Sequence, residues 1–184
     1  MNGKIMIASD IHGSAFWCEK LLKAYETESP EKLLLLGDIL YHGPRNDLPD
    51  GYAPKKVFAS LNPLKDNILC VRGNCDSEVD QMVLEFPVLA DFALLSVSGK
   101  TLYATHGHLA GETNPPPLFS GDVLLNGHTH VPCRKKLTNG VFYVNCGSVA
   151  LPKENTPHSY LVFEKGVFLW KNLETGEVFD RLEI

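Results

Sequence analysis

The sequence predicts an α/β domain with mixed sheet pairing, and three observations carry that reading. The first half alternates short apolar runs with segments of helical spacing. The second half is mainly strand-like, with hairpin dipeptides between its runs. Five of the apolar runs end in Asp, Asn or His, whose side chains carry oxygen or nitrogen donors.

Taken in order, Lys4-Ile5-Met6-Ile7-Ala8-Ser9 forms the first strand and runs into Asp10-Ile11-His12. Ser14 caps a helix through about Glu28, with Phe16, Leu21, Leu22 and Tyr25 near helical spacing, and Ser29-Pro30 ends it. The second strand, Lys32 to Gly37, reaches Asp38. A long loop from Ile39 to Ala53 follows, rich in Gly, Pro and Asp, and loops of this length are usually functional or mobile. Pro54 to Leu61 reads as a short helix, with Pro54 near its first position and Asn62-Pro63 at its end. Ile68 to Gly73 is a third strand reaching Asn74, and Asp76 or Ser77 caps a helix toward Leu84 that Phe86-Pro87 stops. Phe92 to Val97 and Lys100 to Thr105 flank Ser98-Gly99 as a hairpin, and the second of them reaches His106. The loop from His106 to Ser120 holds Pro115-Pro116-Pro117 and is expected to be stiff and extended. Val123-Leu124-Leu125 then leads to Gly127-His128-Thr129-His130. Val131 to Leu137 and Val141 to Asn145 flank Asn139-Gly140, a strong hairpin dipeptide. Ser159 to Phe163, Val167 to Asn172 and Glu177 to Leu182 close the chain as a meander.

A chain of 184 residues fits one domain with a real core, and no repeat, low-complexity tract or linker divides it. The net charge of −5 and the lack of a Lys/Arg-rich tract argue against a general nucleic-acid surface. Five scattered cysteines, odd in number and without a C-x-x-C pair, suit a reducing compartment better than a disulfide framework. Asp10 interrupts the first apolar run too early for a signal peptide, and no run approaches the roughly 20 residues of a membrane span. These features read as cytoplasmic. A homo-oligomer is left open.

Side chains alternate along an extended segment, so His128 and His130 are expected to point the same way. Alone, His-x-His past a strand is a polar loop more often than a ligand pair. In open α/β sheets, however, ligands gather at the carboxyl ends of strands. Five such exits on one edge make a polymetal site the leading expectation. The candidate ligands are Asp10, His12, Asp38, Asn74, His106, His128 and His130. Oxygen and imidazole donors without a required thiolate suit Mn²⁺, Fe²⁺ or Zn²⁺ better than a soft ion or an all-oxygen Mg²⁺ site.

These residues carry a resemblance to the calcineurin-like metallophosphoesterase family: Asp10-x-His12, Gly37-Asp38, Gly73-Asn74-Cys75-Asp76, His106-Gly107 and Gly127-His128-Thr129-His130. Within it the chain is most similar to the small bacterial YfcE-type phosphodiesterases, through His42-Gly43-Pro44-Arg45-Asn46. The resemblance implies two packed mixed β-sheets flanked by helices, a four-layer α-β-β-α sandwich over residues 1–184 with no cap domain. It implies a hydrolase in which Asp10, His12 and His130 hold one divalent metal, Asn74, His106 and His128 a second, and Asp38 bridges both. Manganese is the family-based first choice, with Fe²⁺ or Zn²⁺ as alternatives. Two such ions lower the pKa of a shared water and neutralise phosphate oxygens during in-line displacement. The expected activity is therefore a metal-dependent phosphodiesterase acting on a small phosphodiester. The alternatives are a phosphomonoesterase or nucleotide phosphatase on the same site, and a non-catalytic scaffold resembling the retromer Vps29 subunit.

Arg45, Asn46 and Arg72 are the candidates for holding substrate phosphate, because guanidinium matches phosphate oxygens bidentately. Cys75 stands where most of the family has a histidine that protonates the leaving group, oriented by the following acid, here Asp76. The small phosphodiesterase branch is similar in having Cys there. His108 is expected beside the ligands or as a proton shuttle, which completes the catalytic candidates Cys75, Asp76 and His108. Asn145 to Ser148 match the family's Asn-x-Gly-Ser loop, with Cys146 where Pro often stands, and are expected to shape the site's rim.

Overall fold

The computed structural model of the chain describes residues 3–97 and 99–184. Its elements are β1 (Ile5–Ala8), α1 (Ala15–Glu28), β2 (Lys32–Leu35), α2 (Pro54–Leu61), a 3-10 helix (Asn62–Asn67), β3 (Ile68–Cys70) and α3 (Glu78–Gln81). Then come β4 (Ala93–Val97), β5 (Lys100–Ala104), β6 (Val123–Asn126), β7 (Cys133–Lys136), β8 (Phe142–Asn145), β9 (Ser159–Glu164), β10 (Val167–Asn172) and β11 (Val178–Glu183). They build a six-stranded sheet, β11-β10-β9-β1-β2-β3, and a five-stranded sheet, β4-β5-β6-β8-β7. Both are mixed: β1, β2 and β3 run parallel, as do β5, β6 and β8, while β9 is antiparallel to β1 and β4 to β5.

Period-two alternation in β1 and β2 decides the layering. Ile5, Ile7 and Leu34 face the five-stranded sheet and meet Leu102, Val123, Leu125 and Val144 between the sheets. Met6, Ala8, Leu33 and Leu35 face outward onto Trp17, Cys18 and Leu21 of α1 and Val57 and Leu61 of α2. The outer face of the five-stranded sheet, at Leu124 and Tyr143, is covered by loop residue Leu118. Three consecutive prolines just before it lack the N–H groups a helix needs.

The helices follow their local signals. Ser14 Oγ accepts the Trp17 N–H and Ser29 closes α1 in the left-handed conformation. Pro54 opens α2, but the chain coils on into the 3-10 helix instead of breaking at Asn62-Pro63, because Pro63 occupies one of its first positions, where no N–H is needed. The third helix is one turn long, and its backbone N–H at Ser77 donates to Asp80 Oδ2 at 2.8 Å. Both strands of the predicted Ser98-Gly99 hairpin pair in register, with Gly99 at φ 78°, while Ser98 lies outside the described residues. The closing meander is present, and it attaches to β1 through β9.

Candidate metal centre

The parallel strands of each sheet deliver their carboxyl ends to one shared edge, where the five predicted exits meet. Beyond the strands the loops continue to pair: Asp10 N–H donates to Gly37 O at 3.1 Å, His12 N–H to Asp38 O at 2.9 Å and Gly127 N–H to His106 O at 2.9 Å. The approach is too close for side chains. A Cβ at Gly37, where φ is +95°, would sit 2.3 Å from Gly73 N, and one at Gly127 would sit 2.1 Å from Ser9 Oγ.

The exits do not stay extended. Asp10 (φ 60°), His12 (48°), Asp38 (55°), His128 (65°) and His130 (63°) are all left-handed, five of the nine such non-glycine residues among those described. Each carries a cost of about 1 kcal/mol for an L side chain. The expectation that His128 and His130 point together from an extended segment is therefore corrected. The backbone turns at each residue, and the two rings present different nitrogens to two neighbouring clusters. His130 brings Nε2 to 3.3 Å from His12 Nε2, whereas His128 brings Nδ1 to 3.2 Å from His106 Nε2.

The outward nitrogens are already committed. Nδ1 of His12 donates to Tyr41 O at 2.8 Å, Nδ1 of His106 to Leu36 O at 2.6 Å and Nδ1 of His130 to Leu151 O at 2.6 Å. A carbonyl only accepts, so these bonds fix the tautomer and leave three Nε2 lone pairs facing inward. Asp10 Oδ1 lies 3.2 Å from His130 Nε2 and 3.5 Å from His12 Nε2, is buried, and accepts no hydrogen bond. Asp38 Oδ2 lies 3.6 Å from His12 Nε2 and 3.4 Å from His106 Nε2, between the two clusters. Asn74 Oδ1 is 3.0 Å from His106 Nε2.

The electrostatics ask for positive charge in this space. Burial opposes a charged His106, yet the Asp38 and Asp10 carboxylates raise its pKa to about 9. His128 falls to about 4, through burial and then the neighbouring His106. Asp10 stays well below the usual carboxylate range: burial raises it, and His12 and His130 more than offset that. A cation held between these carboxylates and Nε2 atoms would take the place of the proton they draw onto His106, and oxygen and nitrogen donors of this kind suit divalent ions. Asp10, His12 and His130 form one such group and Asp10, Asp38 and His106 another.

Residues 4–165 match the model of the calcineurin-like phosphoesterase superfamily domain. The chain belongs to this superfamily. Phosphodiesterase YfcE of Escherichia coli strain K12 is 46% identical over 164 residues, 89% of each chain. The solved structure of the E. coli phosphoesterase Yfce superposes with a TM-score of 0.95 at 43% identity, covering 98% of this chain and 99% of that one. A Vps29 of Entamoeba histolytica crystallised with zinc shares the fold alone, with a TM-score of 0.63 at 18% identity over 98% of each chain.

In this phosphoesterase five of the seven candidate ligands, His12, Asp38, Asn74, His128 and His130, line a cavity of about 460 Å³, while Asp10 and His106 are buried behind it. Arg45 and Asn46 line it, and Asn46 Nδ2 is anchored on His42 O at 2.8 Å. Lys153 and Thr129 line it too. Sequence reading missed Lys153, which lies in an irregular loop far along the chain and carries no motif. Arg72 is not on this cavity: its Nε donates to Asp76 O at 3.3 Å and its side chain faces an adjoining groove.

The expected acid pair is also corrected. Asp76 does not orient the residue at 75, because both its oxygens accept backbone donors. Asp38 N–H and Gly73 N–H reach Oδ2 at 2.7 Å each, and Ile39 N–H reaches Oδ1 at 2.9 Å. It ties the loop after β2 to the loop after β3. Cys75 faces the cavity, and its backbone N–H donates to Asp38 Oδ1 at 2.8 Å. Burial and then the Asp38 carboxylate push its thiol up to about 12. His108 lies beside the second cluster, its ring tilted 60° to that of His106 at a centroid distance of 5.4 Å, with Nδ1 buried and unpartnered. Asn145 and Ser148 brace the site from beneath, Asn145 Nδ2 donating to Gly127 O at 2.6 Å and Ser148 Oγ to Asp10 O at 3.1 Å.

Proposed function

We propose that this chain is a metal-dependent phosphodiesterase acting on a small phosphodiester, and that it works as one domain over residues 1–184 without a cap domain. The observation that carries the reading is the convergence of imidazole and carboxylate lone pairs whose outward nitrogens are already held by carbonyls. The 46% identity to the E. coli phosphodiesterase YfcE supports the reaction class. In this reading Asp10, His12 and His130 hold one ion, Asn74, His106 and His128 hold the other, and Asp38 serves both. Manganese is the first choice. Two bound divalent ions would supply Lewis acidity to the phosphate oxygens and an acidic water for attack near neutral pH.

The chain's own residues do the rest. The Cys75 N–H holds Asp38 Oδ1, which leaves Oδ2 toward both histidine clusters. Arg45 offers a planar pair of donors to non-bridging oxygens, Asn46 is fixed beside it, and Lys153 adds positive charge to the lining. The thiol of Cys75 is a weak donor, so a leaving group that departs as a stabilised phenolate needs the least help. Activated aryl diesters are therefore the expected best substrates.

The test is hydrolysis of bis(4-nitrophenyl) phosphate after stringent chelation and after Mn²⁺ is returned, with bound metal measured by mass spectrometry. Loss and recovery with about two ions per chain are expected. Full turnover by metal-free protein overturns the reading, and faster hydrolysis of 4-nitrophenyl phosphate replaces it with a monoesterase.

A further inference from the structure

The candidate site is open on one side. Pro44, Arg45, Asn74 and Cys75 line both the ligand-bordered cavity and a second groove of about 660 Å³. The two spaces therefore adjoin at Asn74 and Cys75. Tyr41 and Val79 are apolar surfaces of the groove, 42% and 69% exposed. Arg45 and Arg72 are its cations, and neither forms an ion pair among the described residues. Two carboxylates also line the groove, but both are occupied. Asp76 accepts three backbone N–H groups, and Asp80 accepts the N–H and the hydroxyl of Ser77 at 2.8 and 3.1 Å. The formal charges of the groove balance, two arginines against two aspartates, but the hydrogen-bonding capacity left free belongs to the guanidinium donors.

We infer that this groove receives one ester arm of the substrate, and that this arm carries a second anionic group set off from the scissile phosphorus by an aromatic or apolar spacer. The inference rests on the phosphodiesterase reading above. The spacer lies against Tyr41 and Val79, the distal anion meets Arg72, and Arg45 stands between the scissile phosphate and the arm. A phosphomonoester has no second arm to place there. Arg72 thus acts on substrate choice, away from the reacting phosphorus.

Two diesters with the same 4-nitrophenolate leaving group test it: one with a 4-carboxyphenyl second arm, the other with a neutral 4-carbamoylphenyl arm of matched shape. At fixed Mn²⁺ and low salt, the carboxylate substrate is expected to show a KM about fivefold lower, an advantage that fades as ionic strength rises. Arg72→Gln should bring the ratio of the two KM values close to one, and Arg72→Lys should restore part of it. Equal KM values in the unsubstituted protein overturn the proposal. So does an advantage that survives Arg72→Gln. Turnover of neither diester, with Mn²⁺ bound, overturns the phosphodiesterase reading instead and the groove assignment with it.

Discussion

Asp10 and Asp38 share a chemistry and a left-handed backbone, yet their surroundings differ. Asp10 Oδ1 looks toward His12 and His130, while Asp38 Oδ2 stands between His12 and His106. Replacing either by Asn keeps the shape and removes the charge. Asp38→Asn is expected to lower kcat/KM at least about tenfold more than Asp10→Asn, a difference near 1.4 kcal/mol in transition-state stabilisation. Steady-state kinetics with metal content on both variants checks this, and near-normal activity in both removes Asp38 from its bridging role. At this scale the sequence was informative about identity and poor about direction. All seven candidate ligands lie at one edge, because strand exits are visible as apolar runs stopped by polar residues. The orientation of His128 and His130 was not visible, since a positive φ on a histidine leaves no trace in the residue type. Lys153 was hidden for a related reason: a loop lysine is brought to a cavity by tertiary packing alone.

Elements are joined here by single side chains. Asp76 binds the loops after β2 and β3 through three backbone N–H groups. Asn in its place would turn an amide toward those donors, leaving at least one buried N–H unpaired. Asp76→Asn is expected to cost about 2 kcal/mol in urea denaturation and to weaken Mn²⁺ retention in the same protein. Unchanged metal affinity would separate the brace from the site. The family resemblance implies that Asp76 orients a histidine at position 75, and with Cys75 in that position the Asp76 oxygens are held by backbone donors. Glu28, the last residue of α1, is a second joint. Burial raises its pKa, but Lys171, the Tyr160 hydroxyl and Lys4 more than offset this and lower it. A depressed carboxylate stabilises the fold fully above its unfolded pKa, and that contribution is lost as pH falls through the lower folded value. Glu28→Gln should therefore reduce stability at pH 7, with the difference shrinking below about pH 4. A gap that stays constant with pH would make the joint one of packing. The strands, α1 and α2 were legible because short apolar runs, Ser14 and Pro54 are local signals. The 3-10 helix was not, since Asn62-Pro63 reads equally well as a stop.

Across the whole molecule, the two sheets divide the proposed ligands between them. The exits of β1, β2 and β3 bring Asp10, His12, Asp38 and Asn74, and those of β5 and β6 bring His106, His128 and His130. Ions that bind only the folded arrangement stabilise it by mass action, about 2.7 kcal/mol at 100 times Kd. Saturating Mn²⁺ should raise Tm and a chelator should reverse the rise; a Tm indifferent to both would mean that the proposed ligands do not converge in solution. The division has a further result for how the chain breathes. Without ions, the two sheets are joined by a shared apolar core and by side-chain bonds such as His106 Nδ1 to Leu36 O and Trp170 Nε1 to Asn145 O, and each sheet is expected to open as its own unit of amide hydrogen exchange. Ions gripped from both sides rivet the sheets at one edge. Amides of β2 and of β6 should then exchange at a common rate, turning two opening events into one.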